Sequence, residues 1–334
     1  DVERSRGLGD VYKRQVYGPL FSYLQGMLVL LAGSWFRYQV LSNFLVYLLA
    51  GCSLFKLLTY DKIRESTAFL TAIIFMTTYG INYWVLNQGF TSWGTSLLPL
   101  CLIPLVDLKN HHFPIVKIAL SMAVMTQIHT LTAMMLGLIY FPFFIDYARK
   151  QWGRALLELG KTVGLYVCLS INVWISLFLI NRGDQLKMPF TNPEMSEKAI
   201  DLGGAYWLHY PGNLRLLLIA GLLLNLVYWH KTRRFTKQLL IFSGIFFIFS
   251  TSLIPWDWLV AHQVPLISLI QFPFRFFAPF TVLFLFCLAS LFQDLAGKRI
   301  LFGGLLLLSV ISIGQSLQLL THCLLYTSDA ADEL

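Results

Sequence analysis

The sequence has little charge, and it lacks the motifs that mark the common nucleotide-dependent and hydrolytic enzymes. Charged residues make up 13% of the chain, whereas soluble domains carry about 25%. No Walker loop, GxGxxG, HExxH or nucleophile elbow occurs in it. The sequence therefore gives no support to ATP hydrolysis or to redox chemistry with a soluble cofactor.

Cysteine is also scarce, and its positions do not fit a disulfide framework or a metal site. The five cysteines are Cys52, Cys101, Cys168, Cys287 and Cys323. The first four lie inside apolar segments without the short spacing of metal ligands, as expected of small core residues. The sequence therefore identifies no cofactor and no metal site, and it leaves a requirement for a divalent cation open.

Apolar residues are abundant instead. They account for 57% of the 334 residues, and the mean hydropathy is +0.65. The apolar runs repeatedly approach the roughly 20 residues that a helix needs to cross a bilayer. The bases behind the net charge of +8 are scattered in short clusters between these runs, as membrane topology requires, so nucleic acid is not a predicted partner. We predict an all-α, polytopic transmembrane helical bundle.

Both ends of the chain resemble translated sequencing adapter. "DVYKRQ" at 10–15 can be encoded by a DNA element whose reverse complement, read one base in, encodes "CLLYTS" at 323–328. This element matches the transposon mosaic end of tagmentation libraries. We expect 1–15 and 323–334 to be read-through artefacts. No repeat or low-complexity linker divides the remainder, so 16–322 is predicted to be one integral-membrane domain lacking its native N-terminus.

Ten apolar segments are predicted to be membrane-crossing helices. They are 38–59, 66–83, 95–107, 115–129, 131–147, 157–180, 213–229, 237–254, 274–292 and 300–321. A further apolar stretch, 17–33, either crosses from the inside or lies in the outer interface. Its Gly18, Pro19, Gln25 and Gly26 favour the interfacial interpretation.

Lysine and arginine concentrate in alternate short loops, which the positive-inside rule assigns to the cytoplasm. Representative bases in these loops are Lys62, Arg149, Arg233 and Lys298. The opposite loops contain few bases, apart from one long polar stretch. The outer side then receives four features: Arg275, Asp257, His129 and the stretch 181–212.

Arg275 is the most informative ionisable residue, because it begins an apolar run within "QFPFRFF". A guanidinium at a membrane edge either snorkels to headgroups or binds phosphate or carboxylate through bidentate bonds. Asp257 lies between Trp256 and Trp258. The two indoles are typical of an interfacial belt, whereas the carboxylate is a candidate to pair with Arg275 or to act on substrate.

Three further polar residues are candidate substrate contacts. His129, in "TQIHTLT", lies where two predicted helices meet. It is either a buried histidine that hydrogen-bonds a neighbour or a contact to substrate. Asn87 and Gln88, in "VLNQGFTSWGT", are amides of the kind that bind sugars, and they are also ordinary loop residues. The sequence leaves these alternatives open.

Several segments, in order, resemble a family of bacterial polytopic proteins. "YGPLFSYLQG", "PLCLIPLVDL", "TQIHTLTAMM" and "IPWDWL" precede the most specific piece, Gln271-Phe272-Pro273-Phe274-Arg275. They are similar to the YfhO-like membrane proteins, often labelled "6-pyruvoyl-tetrahydropterin-synthase-related", a label that implies no pterin chemistry. The family commonly has tryptophan where this chain has Phe274. It resembles a branch of the GT-C superfamily of integral-membrane glycosyltransferases.

The resemblance implies a GT-C-like enzyme that moves a sugar from a polyprenyl-phosphate donor to a cell-surface polymer or glycolipid. In that superfamily the donor lies in the outer leaflet, basic residues hold its phosphate, and a carboxylate in the first exterior loop activates the acceptor. Arg275 and Gln271 would bind the donor in a bacterial cytoplasmic membrane. The acidic residue is expected upstream of this fragment, so the catalytic base stays unknown.

Two other classes of function are weighed beside the enzyme. A transporter or flippase for lipid-linked material predicts polar residues at mid-bilayer and paired inverted repeats, and neither is clear in the sequence. A structural subunit of an envelope-polymer assembly system predicts an outer polar loop that binds a partner. In every case membrane lipids are partners; the enzyme adds a polyprenyl-phosphate-linked sugar and a glycopolymer acceptor.

Overall fold

The computed structural model describes most of the apolar part of the chain. Its described residues are 19–86, 91–183, 193–200, 221–264, 267–270 and 272–294, with isolated helical positions between 300 and 314. These residues are mainly helical and include no strand, although an isolated bridge joins Ile200 and Thr251. The all-α prediction is confirmed. Both ends that resemble adapter lie outside the described residues.

Fourteen α-helices are bounded in this part of the chain. They are α1 (Pro19–Ala32), α2 (Trp35–Tyr60), α3 (Glu65–Met76), α4 (Tyr79–Leu86), α5 (Thr91–Cys101), α6 (Ile103–Lys109), α7 (Ile115–Ile128), α8 (Thr130–Ala148), α9 (Trp152–Leu169), α10 (Ile171–Gly183), α11 (Arg234–Ser250), α12 (Trp256–Ala261), α13 (Ile267–Ile270) and α14 (Phe277–Asp294). Short 3-10 helices cover Met195–Lys198, Trp229–Lys231 and Pro273–Phe276. Residues 221–227 are also helical.

Four helical stretches are long and apolar enough to cross a membrane, namely Trp35–Tyr60, Thr91–Lys109, Thr130–Ala148 and Pro273–Gln293. A fifth results if α9 and α10, which meet at an angle of 70°, form one broken span. The described residues therefore support a membrane-associated protein but do not reproduce the ten predicted spans. Other apolar helices are shorter, and α1, with 14 residues, is about 21 Å long.

Polar residues explain why one predicted helix is divided in two. The segment 66–83 is broken at Thr77 and Thr78, whose hydroxyls donate to backbone carbonyls three residues earlier, at 2.8 and 2.7 Å. Asn82 donates through Nδ2 to the Thr77 carbonyl at 2.9 Å. Thr hydroxyls make such bonds within straight helices too, so it is the Asn82 side chain, bonded to the Thr77 carbonyl, that stabilises the break.

The chain divides into two compact units. Unit 1 contains Asp1–Leu49, Asn87–Met195 and Trp256–Phe272, and unit 2 contains Ala50–Leu86, Ser196–Pro255 and Pro273–Leu334. The prediction of one integral-membrane domain from 16 to 322 stays a prediction.

Unit 1 is organised around α7, which runs antiparallel to α5 and α6. A Cβ at Gly94, early in α5, would lie 3.6 Å from Cβ of His129, just after α7. At the other end, Lys117 binds Asp107 at 2.7 Å. Lys117 and His129 are thus about 18 Å apart along the helix axis. One end of this helix group is basic, and the other carries the histidine.

Unit 2 is built on α11 and α14, which are also antiparallel. The hydroxyl of Ser243 donates to the Phe280 carbonyl at 3.2 Å, and Sγ of Cys287 lies 3.5 Å from the Thr236 carbonyl oxygen. The whole central part of α14 is buried, including its large side chains. Because α14 is apolar on every face, other helices of the unit must surround it, and α3 is among those that contact it.

Large apolar side chains cover much of the outside of the described helices. Leu30 and Leu31 of α1 are 82% and 78% exposed, and Phe44 of α2 is 61% exposed. The same holds along α9 and α10, for example at Leu157 and Phe178. A soluble protein rarely exposes apolar patches of this extent to water, so these faces are suited to contact with lipid.

Gly221 provides a test of packing in unit 2. A Cβ there would lie 2.5 Å from Cζ of Phe284, a fully buried ring. We expect Gly221→Ala to lower the free energy of unfolding by about 1 kcal/mol, because overpacking costs about 1–3 kcal/mol and the better helix propensity of alanine returns about 1. Thermal unfolding in detergent would measure it. Combining Gly221→Ala with Phe284→Leu should relieve the clash, so the double variant should lose less stability than the sum of the two single variants. A loss greater than that sum would contradict this packing.

Candidate functional site

His129 occupies a junction between two helices of unit 1. Its backbone is extended, with φ −158° and ψ 102°, and it ends α7 and caps α8. The ring Nδ1 accepts a hydrogen bond from the Thr132 backbone N–H at 3.2 Å and lies 2.8 Å from Oγ1 of the same residue. An accepting Nδ1 is unprotonated, so the proton of the neutral ring is on Nε2. The predicted helix boundary at His129 is confirmed, and the side chain is buried.

Helix α5 lies directly against this junction. Gly94 faces this junction, since a Cβ at this position would lie 3.4 Å from Oγ1 of Thr132, an ordinary van der Waals distance. Next to it, Trp93 is buried and meets Phe21 of α1 edge to face, with ring centroids 5.6 Å apart. The junction therefore contains the imidazole of His129 and the hydroxyl of Thr132, and the indole of Trp93 packs against α1.

The first two turns of α5 are unusually rich in small polar groups for a buried helix. Thr91, Ser92, Thr95 and Ser96 are all buried. Two of their hydroxyls donate to carbonyls one turn earlier within α5, Thr95 at 2.8 Å and Ser96 at 2.7 Å. Each hydroxyl oxygen still has lone pairs that can accept hydrogen bonds. Small residues of this kind also let helix backbones approach closely within a membrane.

A second polar contact joins α7 to the break between α9 and α10. Gln127 donates through Nε2 to Oδ1 of Asn172 at 2.7 Å, and Asn172 donates back through Nδ2 to Oε1 of Gln127 at 3.2 Å. One residue earlier, Oγ1 of Thr126 and Oη of Tyr166 are 3.0 Å apart. The 70° bend at Ser170 is thus held by side-chain pairs from α7.

A third polar contact in unit 1 involves the amide of Gln25. Its Oε1 accepts a hydrogen bond from Oη of Tyr38 at 2.7 Å. Its Nε2 is buried and has no hydrogen-bond partner among the described residues. This pair ties α1 to α2 across the turn at Gly33, whose φ of 73° is left-handed and suits glycine.

Asp257 is exposed in the first turn of α12. Its two tryptophan neighbours differ, since Trp256 is buried while Trp258 is 55% exposed. The ring of Trp258 stacks on His262, with centroids 4.2 Å apart. Asp257 therefore lies at the surface of unit 1 beside an exposed indole, which also suits a bilayer interface.

Arg275 belongs to unit 2, where the 3-10 helix Pro273–Phe276 leads into α14. The residue is half-buried and its Nε is enclosed, while Phe274 and Phe276 on either side are buried. Phe276 stacks on Phe246 of α11 with centroids 6.2 Å apart. Aromatic packing therefore fixes the backbone that carries the guanidinium.

Not all predicted site residues can be compared with the structure. Asn87, Gln88 and Gln271 lie outside the described residues. His129 and Asp257 are in unit 1, and Arg275 is in unit 2. Within the described ranges no group of three or more His, Cys, Asp or Glu side chains could hold a metal ion.

Several polar residues of the site were not predicted. Asn172 and Tyr166 are paired with α7 across 45 and 40 positions of sequence, which no local pattern indicates. The sequence contains one indication of these two residues, namely that each is a polar residue inside a predicted membrane-crossing helix. Such residues are rare there and are usually paired. Gln25 gave the same signal within 17–33.

His129 offers a prediction that separates a structural from a chemical role. We expect His129→Ala to lower the free energy of unfolding by about 1 kcal/mol, because it removes the cap of α8. His129→Asn should keep most of that stability, since asparagine is a good capping residue. Thermal unfolding of the variants in detergent would measure both. Equal losses in the two variants would contradict the capping role.

No protein-family model, curated protein or solved structure matches the chain.

Proposed function

We propose that this chain is a multi-pass, GT-C-like glycosyltransferase of a bacterial cytoplasmic membrane. It moves a sugar from a polyprenyl-phosphate donor to a cell-surface glycopolymer or glycolipid. The observation that carries the proposal is Arg275, a half-buried guanidinium set between buried phenylalanines at the start of a membrane-length apolar helix. Such a residue is costly in a bilayer and is a functional candidate for that reason.

The chemistry of a lipid-phosphate donor matches Arg275. When the bond from the sugar to the phosphate oxygen breaks, negative charge builds on the departing phosphate. A guanidinium stays protonated at any physiological pH and binds phosphate oxygens through two parallel N–H donors. The apolar rings of Phe274 and Phe276 exclude water nearby, and a fixed cation stabilises developing charge more strongly in such surroundings.

Residue types suited to the other parts of such a substrate also occur in the described residues. A polyprenyl tail is hydrocarbon, and the exposed faces of α1, α2, α9 and α10 are apolar. Considered by itself, unit 1 contains side chains of the type that hydrogen-bond sugars, namely His129, Asp257 and the hydroxyls at the start of α5. No base is assigned among them, because the described residues give no carboxylate a defined geometry toward a bound substrate.

The proposal is tested with the purified chain in nanodiscs. Undecaprenyl-phosphate-linked hexoses and N-acetylhexosamines are added one at a time, together with a cell-envelope glycopolymer or glycolipid fraction as acceptor. The released undecaprenyl phosphate and the glycosylated acceptor are both followed by mass spectrometry. We expect release from at least one donor, together with saturable binding of undecaprenyl phosphate alone. Absence of both with the whole donor set would overturn the proposal.

A second candidate function is transport or flipping of lipid-linked material. The observation in its favour is the span formed by α9 and α10, which is broken by 70° beside the Gln127–Asn172 pair. Transporters often carry their sites at discontinuous helices of this kind. Flipping of a fluorescent lipid-linked sugar in proteoliposomes, with no release of polyprenyl phosphate, would favour this function over the enzyme.

A further inference from the structure

Two basic segments that are distant in sequence lie at one end of unit 2. The first is the turn between α2 and α3, which contains Lys62 and Arg64. Oε1 of Gln293 accepts a hydrogen bond from the Arg64 backbone N–H, and its Nε2 donates to the Lys62 carbonyl, both at 3.0 Å. Lys62 itself has a left-handed φ of 62°. Gln293 therefore fastens this turn to the last turn of α14.

The second basic segment is the start of α11. Because α11 and α14 are antiparallel, the first turn of α11 lies beside the C-terminal half of α14. Phe235 meets Phe286 with ring centroids 5.9 Å apart, and Arg233 and Arg234 lie just beyond, toward Gln293. Together, Lys62, Arg64, Arg233, Arg234 and Lys237 form what we call the basic end of unit 2.

The basic end is accessible, and its five cations outnumber the three acidic residues of the segments near it. Asp294, the last residue of α14, is one of these acidic residues. Four of its residues are exposed, and the fifth, Lys237, is partly exposed, with Nζ 5.2 Å from the centroid of the Trp229 ring. The α2–α3 turn also has two carboxylates, of which Asp61 is buried and Glu65 is exposed. The sequence has no Asp or Glu from 202 to 256, so α11 and the segment before it contribute no negative side chain to the basic end.

The surface changes from basic to apolar within one or two helical turns. Before the basic residues, Leu223 and Val227 are 57% and 72% exposed, and after them Ile241 of α11 is 53% exposed. Trp229 lies at the boundary. This order of lipid-compatible side chains, an indole and then clustered cations is typical of the level of phospholipid headgroups.

We propose that the basic end of unit 2 binds the phosphate groups of anionic phospholipids in the surrounding leaflet. Arginine forms bidentate bonds to phosphate oxygens, lysine adds charge, and acyl chains pack on the adjacent apolar faces. Phosphatidylglycerol and other anionic lipids are thereby bound in preference to zwitterionic ones. The binding does not depend on the sugar chemistry proposed above, because it uses none of the same residues.

The test compares lipids with identical acyl chains and different headgroups. The full chain in neutral detergent is titrated with phosphatidylglycerol, phosphatidylcholine or inorganic phosphate, and binding is read by native mass spectrometry and by the melting temperature. We expect phosphatidylglycerol to be retained and to raise the melting temperature by several degrees, with little effect of the other two. Salt at about 1 M, where the Debye length is roughly 3 Å, should weaken that effect.

Variants locate the binding. Lys62→Gln, Arg64→Gln, Arg233→Gln and Arg234→Gln in one protein should weaken phosphatidylglycerol binding by about a hundredfold, since each interfacial cation contributes appreciably. Arg149→Gln with Lys150→Gln, which removes two cations from unit 1, is the control for the pair Arg233→Gln with Arg234→Gln, and it should weaken binding much less.

Three outcomes would overturn the proposal. They are equal effects of phosphatidylcholine, unchanged binding by the quadruple variant, and phosphatidylglycerol binding that is insensitive to salt. If the quadruple variant does not fold, the two pairs Lys62→Gln with Arg64→Gln and Arg233→Gln with Arg234→Gln take its place, and unchanged phosphatidylglycerol binding by both pairs would overturn the proposal equally. Stabilisation by inorganic phosphate alone would identify a free-anion site instead of a lipid site.

Discussion

Arg275→Ala is expected to reduce sugar transfer by about a hundredfold or more, because removing one charged stabiliser of a transition state has effects of that size. The loss should appear both in release of undecaprenyl phosphate and in the affinity for that lipid. Protein abundance should stay close to that of the unaltered chain, since the surrounding packing is made by Phe274 and Phe276. Donor turnover in nanodiscs and quantitative immunoblotting of membranes would measure the two quantities.

Two companion variants make the Arg275 result specific. Arg275→Lys keeps the charge but loses the planar pair of donors, so it should retain part of the activity. Arg154→Ala removes an exposed arginine whose Nε binds Glu158 at 3.0 Å, and it should leave transfer unchanged. Full activity of Arg275→Ala at normal abundance would remove Arg275 from the site and leave it as an anchor to lipid headgroups.

The helix boundaries that were predicted well are those set by local chemistry. The segments 115–129 and 131–147 correspond to α7 and α8, with His129 between them. A polar cap inside a long apolar run is visible in sequence, because it changes both hydropathy and the available backbone partners. In contrast, 157–180 has no proline at its middle, and its bend at Ser170 was not predicted.

The bend at Ser170 was not predicted because it is held by side-chain contacts with α7. At the bend, the hydroxyl of Ser170 donates to the Tyr166 carbonyl at 2.6 Å and accepts from Nε1 of Trp174 at 2.9 Å. These bonds alone are compatible with a straight helix, since Ser and Thr commonly donate to the preceding turn. The partners on α7 belong to a different part of the sequence, and hydropathy contains no information about such pairs.

The same reasoning applies to the candidate site. His129 and Arg275 could be singled out from sequence because an ionisable side chain in an apolar run needs an explanation. The position of Gly94 could not, since only the structure shows that this residue faces Thr132 and His129. Gln293 hydrogen-bonds to Arg64 and Lys62, which precede it by 229 and 231 positions in the sequence. The basic end of unit 2 could therefore be recognised only from the structure.

The paired amides of unit 1 yield the largest expected change in stability. Gln127→Leu leaves the Asn172 amide without its partner on α7, and a polar group left unsatisfied in an apolar surrounding costs about 1–3 kcal/mol. We expect a loss of about 2 kcal/mol in the free energy of unfolding. Asn172→Leu should act similarly. The double change to leucine should lose less than the sum, because neither amide then remains to be satisfied.

The double variant also decides between the two proposed functions. If α9 and α10 form the broken span of a transporter, leucine at both positions should abolish lipid flipping in proteoliposomes while the protein stays folded. If the chain is an enzyme that depends on Arg275, the same variant should keep donor turnover near that of the unaltered chain. Thr126→Val, which removes the neighbouring hydroxyl contact to Tyr166, is the matched control for both assays. If the double variant loses as much stability as the two single variants together, the amides do not act as a pair, since coupled residues depart from additivity.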